Sequence, residues 1–325
     1  DELSEVMGYA DLEERMSSNL DAAYAEGMMR KEILKDPASF VVEDAEIPLT
    51  LLDQKYAGKK LLLITDSEWE FVGKIMAYAF DSHLPADMTW RELFDLVIVS
   101  AGKPNFFLQE QPAFELATEE GLLRRVAGSL KQGSIYVGGH AGLVEEAFCL
   151  QGGEIMFVGD HLESDVQVTK SMLRWRTGFV LSELEKELAS LQEFRDQQAQ
   201  LSKMMIQKAD LERQQAQLRL LTQRATRGYG LESSVSTAEQ DRRMVEVTNK
   251  ISALDAQVAP LTQKAWTLFN PRWGLLTRAG YDKSYLIRLL EGYADIYTSR
   301  VSNFLYQTPF AYLRSTRSSL PHDGG

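Results

Sequence analysis

One cysteine, Cys149, stands among 325 residues, so the chain can form no internal disulfide. That usage fits a reducing compartment. Cys149 lies in the apolar run Ala147 to Leu150, which predicts a buried structural thiol. No apolar run approaches the ~18 residues that cross a bilayer, and no signal-peptide pattern is visible. Basic residues are outnumbered, 35 Lys and Arg against 47 Asp and Glu, for a net charge of −12. A chain of that sign has no basic stripe to neutralise nucleic-acid phosphates. A Gly-x-x-x-x-Gly-Lys loop is missing, and no histidine or cysteine has zinc-ligand spacing. The first residue is Asp1, not Met, so an upstream segment outside these residues is expected.

What is present is a globular composition, 44% hydrophobic and 25% charged, long enough for two domains or one with a large insertion. Residues 1–36 carry Leu3, Val6 and Met7, then Leu12, Met16 and Leu20, at helical spacing. From residue 37 to 181 the pattern changes to short apolar runs alternating with amphipathic helices. Strands are predicted at Leu61–Ile64, Leu96–Val99, Ser134–Val137, Ile155–Val158 and Thr177–Leu181. Alternation of this kind predicts an α/β region built on a parallel sheet. Residues 182–270 read as a helical hairpin broken at Gly228 and Gly230. Its second arm (Met244, Val247, Ile251, Leu254, Val258, Leu261, Ala265, Leu268) spaces apolar residues strictly by three and four, a coiled-coil-like seam. Pro260 inside that arm predicts a kink. The sequence leaves open whether the seam packs on its own partner arm or on another subunit. Residues 271–325 alternate aromatic and apolar positions, which predicts helices whose aromatic stripe packs as core.

The most informative stretch is Gly159-Asp160-His161-Leu162-Glu163-Ser164-Asp165. A buried strand ending in glycine delivers two carboxylates to its C-terminal tip, where open α/β sheets bind ligands. Such a pair suits Mg²⁺, which takes one or two carboxylates and fills its other positions with water and phosphate oxygens. The plainer alternative is that Asp160 opens a loop and Asp165 caps a following helix. His161 is expected to help fix that loop, and Gly138-Gly139-His140 is a turn. Two further strand tips carry polar groups: Thr65-Asp66-Ser67 and Lys103. Phosphoryl groups ask for such a set, namely a hydroxyl, a cation and a metal-binding carboxylate.

In this order the three tips resemble the second, third and fourth motifs of the haloacid dehalogenase-like phosphatases. Residues 61–80, Lys103-Pro104-Asn105-Phe106-Phe107, Gly138-Gly139, Gly159-Asp160-His161-Leu162 and Trp175-Arg176-Thr177 narrow the match. With Tyr293-Ala294-Asp295-Ile296-Tyr297 and Leu320-Pro321-His322, they resemble the cytosolic purine 5′-nucleotidase family and its 5′-nucleotidase domain-containing relatives. The resemblance covers about residues 30–322, interrupted at the hairpin. It implies a haloacid dehalogenase-like Rossmannoid sheet, with residues 1–36 as the remnant of a cap. It further implies Mg²⁺-dependent hydrolysis of purine nucleoside monophosphates such as IMP or GMP through an aspartyl-phosphate. Thr65, Asp66, Ser67 and Lys103 would meet the phosphate, and Asp160 and Asp165 would serve the metal. A cytoplasmic oligomer is implied, or an organellar one if a leader has been removed.

Two departures accompany the resemblance. No Asp-x-Asp-x-Thr occurs, so the nucleophile and the central strand that bears it lie outside this chain. Without that strand, the edges of 61–64 and 155–158 are expected to be unpaired. The family reads Thr-Asn-Ser where this chain has Thr65-Asp66-Ser67, placing a carboxylate beside a dianion unless it turns away. A second function is therefore kept alongside the hydrolase: a catalytically inactive relative that acts as a scaffolding subunit through its helical hairpin.

Overall fold

Runs of branched apolar residues form the strands of the computed structural model, which describes residues 8–25, 27–118, 121–230, 235–280 and 282–313. The first sheet contains β1 (Leu62–Ile64), β2 (Leu96–Val99), β3 (Ala113–Leu116), β4 (Leu123–Arg125) and β5 (Ile135–Gly138). Their order is β1-β2-β5-β3-β4. The first three in that order are parallel, with Leu62 opposite Leu96 and Val97 opposite Ile135. β3 and β4 extend the sheet antiparallel, Phe114 opposite both Val137 and Arg125. The apolar pattern did not signal this hairpin, since β4 (Leu-Arg-Arg) is exposed throughout. A second sheet holds β6 (Met156–Gly159), β7 (Arg176–Val180) and β8 (Ile296–Thr298), all parallel, with β7 in the middle.

The chain divides into two compact units, residues 1–181 with 293–325, and residues 182–292. In the first, β2 is buried at every position because it has a neighbour on each side and helices over both faces. α4 (Trp69–Phe80) lays Val72 on Val97 and Val99, beside Trp90 of α5 (Trp90–Leu93). On the other face, α6 (Asn105–Leu108) and α7 (Ala141–Phe148) close a core that reaches both sheets. Phe107 meets Phe157 edge-on at 5.1 Å and Trp175 at 6.1 Å. The Trp175 indole, buried here, donates to Glu145 Oε1 at 2.7 Å, which satisfies its one polar atom. α1 (Tyr9–Ala25) and α2 (Met28–Lys35) are helical as read, and α3 (Glu46–Tyr56) follows them, but Leu12, Met16 and Leu20 are exposed. Leu3, Val6 and Met7 lie outside the described residues.

β1 and β6 each stand at the end of their sheet, with a single strand neighbour. Between them runs a cavity of ≈ 580 Å³, lined by Leu61, Leu62 and Ile64 on one side and Ile155 to Val158 on the other. The open edges expected for these two strands are therefore present. β1, and β6 except at Phe157, are half-buried, not buried as their apolar runs suggested, because each stands at a sheet edge that borders this groove.

Three other expectations need correction. Cys149 is exposed, since it is the left-handed residue (φ 52°) that ends α7 and points away from the helix's apolar face. The C-terminal aromatic stripe is not core throughout: Tyr306, Phe310 and Tyr312 are exposed. Ile296–Thr298 is strand, not helix, because its backbone completes the ladder of β7. Leu320-Pro321-His322 lies outside the described residues.

In the second unit, α8 (Leu184–Glu193) is followed by the long arms α9 (Arg195–Arg227) and α10 (Thr237–Trp266), then α11 (Tyr285–Tyr293) at its end. The arms run antiparallel, tied by Gln197 to Lys264, Lys208 to Asp255 and Gln215 to Thr248. Leu201, Met204 and Val258 are buried between them with Leu254, Leu261 and Ala265, so the seam closes on its own partner arm. α10 continues through Pro260. Gly228 at φ 67° ends α9, the left-handed position that favours glycine. The buried Glu187 carboxylate accepts from the N–H of Leu276 and Thr277 and from the Thr277 hydroxyl.

Candidate functional site

Parallel strands present their C-terminal tips together, and here the tips of β1, β2 and β6 carry the polar residues singled out from sequence. After β1, Thr65 N donates to Ile98 O at 2.9 Å, and its carbonyl accepts from Ala101 N at 3.0 Å. Its hydroxyl accepts from Ser67 N at 3.2 Å. These bonds bind the Thr65-Asp66-Ser67 turn to the loop after β2. The Asp66 carboxylate accepts from Lys103 N at 2.8 Å. A carboxylate at this position is thus committed to a neighbouring backbone donor, one way of turning it from an anion.

Lys103 crosses from the first sheet to the second. Its ammonium lies 2.8 Å from Asp165 Oδ1, and the side chains are 14% and 1% exposed. The same nitrogen sits 5.7 Å from the centre of the Phe157 ring. Burial makes this pair decisive: a charge in so dry a place stays only if it is paired.

Asp165 reaches Lys103 from the loop that follows β6. Leu162–Gln167 and Thr169–Leu173 form wide π-type turns, a form frequent near functional sites. His161 heads the first turn, its Nδ1 accepting from Ser164 N at 3.2 Å, and its N–H donates to Asp165 Oδ2 at 3.3 Å. The Thr169 hydroxyl donates to Asp165 O. The glycine before Asp160 is a steric requirement. A Cβ on Gly159 would lie 2.4 Å from Asp165 Oδ2 and 2.8 Å from its Cβ. Asp160 itself is exposed at the tip of β6.

The structure therefore joins Thr65, Asp66, Ser67, Lys103 and Asp165 through hydrogen bonds and an ion pair, and leaves the Asp160 carboxylate exposed at the tip of β6. Sequence reasoning passed over the support behind the site. Lys170, from the turn after Asp165, pairs with Asp295 at 2.7 Å, and Asp295 Oδ2 accepts from Thr177 N at 2.9 Å. Burial works to raise the Asp295 carboxyl. The Lys170 hydrogen bond, the Thr177 N–H and the charges of Lys170 and Arg176 outweigh it and hold the group below its ordinary value. The only advance signal was Asp295 itself, within a Tyr-Ala-Asp-Ile-Tyr run that sequence did not connect to this loop.

The acidic residues can be tested as a metal site on their donors. Among the described residues, no group of three His, Cys, Asp or Glu converges as a ligand set. Both oxygens of Asp165 already accept, one from Lys103 and one from His161 N. Asp160 is open, and a hard divalent ion that draws one or two carboxylates from protein and the rest from water and phosphate fits that donor.

Fold and site define a Rossmann-like α/β protein whose polar residues gather at the C-terminal ends of parallel strands, with a long helical insertion. More particularly, the chain belongs to the 5′-nucleotidase family, which it matches over residues 2–325. It is 28% identical over 303 residues to 5′-nucleotidase domain-containing protein 2 of Rattus norvegicus, covering 92% of this chain and 49% of the rat protein. It is 27% identical to the Homo sapiens protein of the same name, covering 92% and 52%. The chain thus spans about half the length of the curated relatives it matches. Among the described residues no helix is long and apolar enough to cross a membrane.

Proposed function

We propose that these residues form the phosphate- and metal-binding half of a Mg²⁺-dependent 5′-nucleotidase acting on purine nucleoside monophosphates. The observation that carries the reading is the buried Lys103–Asp165 pair, which fixes an ammonium between the Thr65 loop and the Asp160 tip. Asp165 orients Lys103, Lys103 and the Thr65 hydroxyl meet phosphoryl oxygens, and Asp160 ligates the ion. When bound, Mg²⁺ offsets the charge that develops on the phosphoryl oxygens.

Hydrolysis through an aspartyl-phosphate needs a carboxylate that attacks phosphorus while the ester oxygen departs, and a water that then cleaves the acyl phosphate. That carboxylate would arrive on a strand seated between β1 and β6, the two edges that line the groove. Its C-terminal end would then lie beside Thr65 and Asp160, as the reaction requires. The test is phosphate release from IMP and GMP by the longest native polypeptide, with and without Mg²⁺, beside its Asp160→Asn variant. Loss of turnover in the variant is expected. Unchanged turnover would remove Asp160 from the metal site.

The hairpin supports a scaffolding role only through its outer surface, where Ile206, Leu220 and Val245 are exposed, because its seam is satisfied internally. Deleting 195–266 and finding association unaltered would end that second reading.

A further inference from the structure

The strand tips of the proposed phosphate site carry more negative than positive charge. Of the four charged side chains placed there, Asp66, Asp160 and Asp165 are carboxylates and only Lys103 is a cation. The Lys103 ammonium is already committed, 2.8 Å from the buried Asp165 carboxylate. Asp160 is the residue that fits a divalent ion, so its charge has an intended partner. Asp66 has none. It is exposed, and among the described residues it makes no ion pair. Arg30 is bonded to Glu68, next along the chain from Ser67, at 3.2 Å.

Asp66 Oδ1 accepts from Lys103 N at 2.8 Å. A backbone donor beside the phosphate site is thus occupied by the chain's own carboxylate. The bond orients Asp66 but leaves its charge in place. Its neighbours Thr65 and Ser67 lie one residue away on either side, with Cα atoms ~3.8 Å distant. The Thr65 hydroxyl accepts from Ser67 N at 3.2 Å, which leaves its own proton free for a phosphoryl oxygen. A phosphate held by Thr65 therefore lies within the ~8 Å over which physiological salt only partly screens a surface charge.

That carboxylate acts with opposite sign on the two ligands of the site. It attracts a divalent cation and repels a phosphate dianion. Resting on the phosphate site of the proposed function, we propose that Asp66 is its charge-selecting residue. It draws the divalent cation to the tips and holds off a phosphate monoester until that cation is bound. The ligand it rejects is the bare dianion, and the ligand it admits is a phosphate group accompanied by metal.

The test is calorimetric titration of the longest native polypeptide at low ionic strength. The ligands are MgCl₂ alone, inorganic phosphate alone, and inorganic phosphate in saturating Mg²⁺. Asp66→Asn keeps an oxygen for Lys103 N and removes the charge. It should tighten phosphate and loosen Mg²⁺, each by roughly three- to tenfold, the effect of one unit charge a few ångström away near a surface. Added salt should shrink both differences. Asp66→Ser, which removes the bond as well, should move the two constants in the same opposite directions. Damage to the fold weakens both ligands together, so opposite movement is the signature of charge. Constants that stay put, or that both weaken, in the two variants overturn the role of Asp66 and leave the phosphate site standing. Phosphate that binds neither parent nor variants, with or without Mg²⁺, overturns the site and this inference with it.

Discussion

The hairpin arms and the strand edges β1 and β6 solve the same problem with opposite results. α9 and α10 satisfy their backbone polar groups within each helix, so their only requirement is an apolar partner, and each arm supplies it to the other. A strand satisfies its backbone only through neighbours, about half on each side. β2, with a neighbour on each side, is fully buried, whereas β1 and β6 have one each and border a cavity. The lesson is that a helical region is complete when its side-chain seam is closed, while a sheet is complete only when its last ladder is.

The sharpest way to break this comparison is at the charge pair that ties the open region together. Lys103→Met should destabilise the α/β unit by about 3–5 kcal/mol, since Asp165 would remain buried without its partner. Adding Asp165→Asn should restore part of that loss. Urea unfolding of single and double variants reads both, and an additive double variant would sink the coupling. In the hairpin, Leu201→Ala should cost about 2–5 kcal/mol through lost burial and a residual cavity. Calorimetry should show it in the transition of residues 182–292, with the other transition unmoved. A common shift of both transitions would mean the two units do not unfold independently.

Gly159→Ala should cost about 1–3 kcal/mol by overpacking, because the new methyl enters the space of Asp165. A variant as stable as the parent in urea would mean that the Asp165 loop moves aside freely. The smallest effect concerns pH. The folded Asp295 carboxyl lies below its unfolded value, so its contribution is present above about pH 4 and is lost as pH falls through the depressed folded value. Asp295→Asn should flatten the acid-side fall of stability below about pH 4 and lower stability at neutral pH. An acid titration followed by circular dichroism, with the two profiles superposed throughout, would remove Asp295 from that account.

Much of this was legible before the fold was known. Alternating apolar runs place β1, β2, β5, β6 and β7 within a residue or two, and the polar tips at Thr65, Lys103 and Asp160 follow from where those runs end. Glycines 228 and 230 mark the turn between the hairpin arms. β3 and β4 were not legible, because an exposed antiparallel ribbon needs no apolar signature. Nor was the exposure of Cys149, which depends on a single left-handed residue at a helix end.

The sequence by itself determined most of the helices and the apolar strands, the acidic balance, the three-and-four apolar seam of the hairpin's second arm and which strand ends carry chemistry. All of these are set by local spacing along the chain. Tertiary structure alone decided that Asp66 turns to Lys103 N, that Lys103 spans to Asp165, and that Asp295 locks the turn carrying Lys170. It also decided that the hairpin's seam closes on its own partner arm. Each of these joins residues far apart in the chain, and such contacts exist only once the strands have taken their order in the sheet.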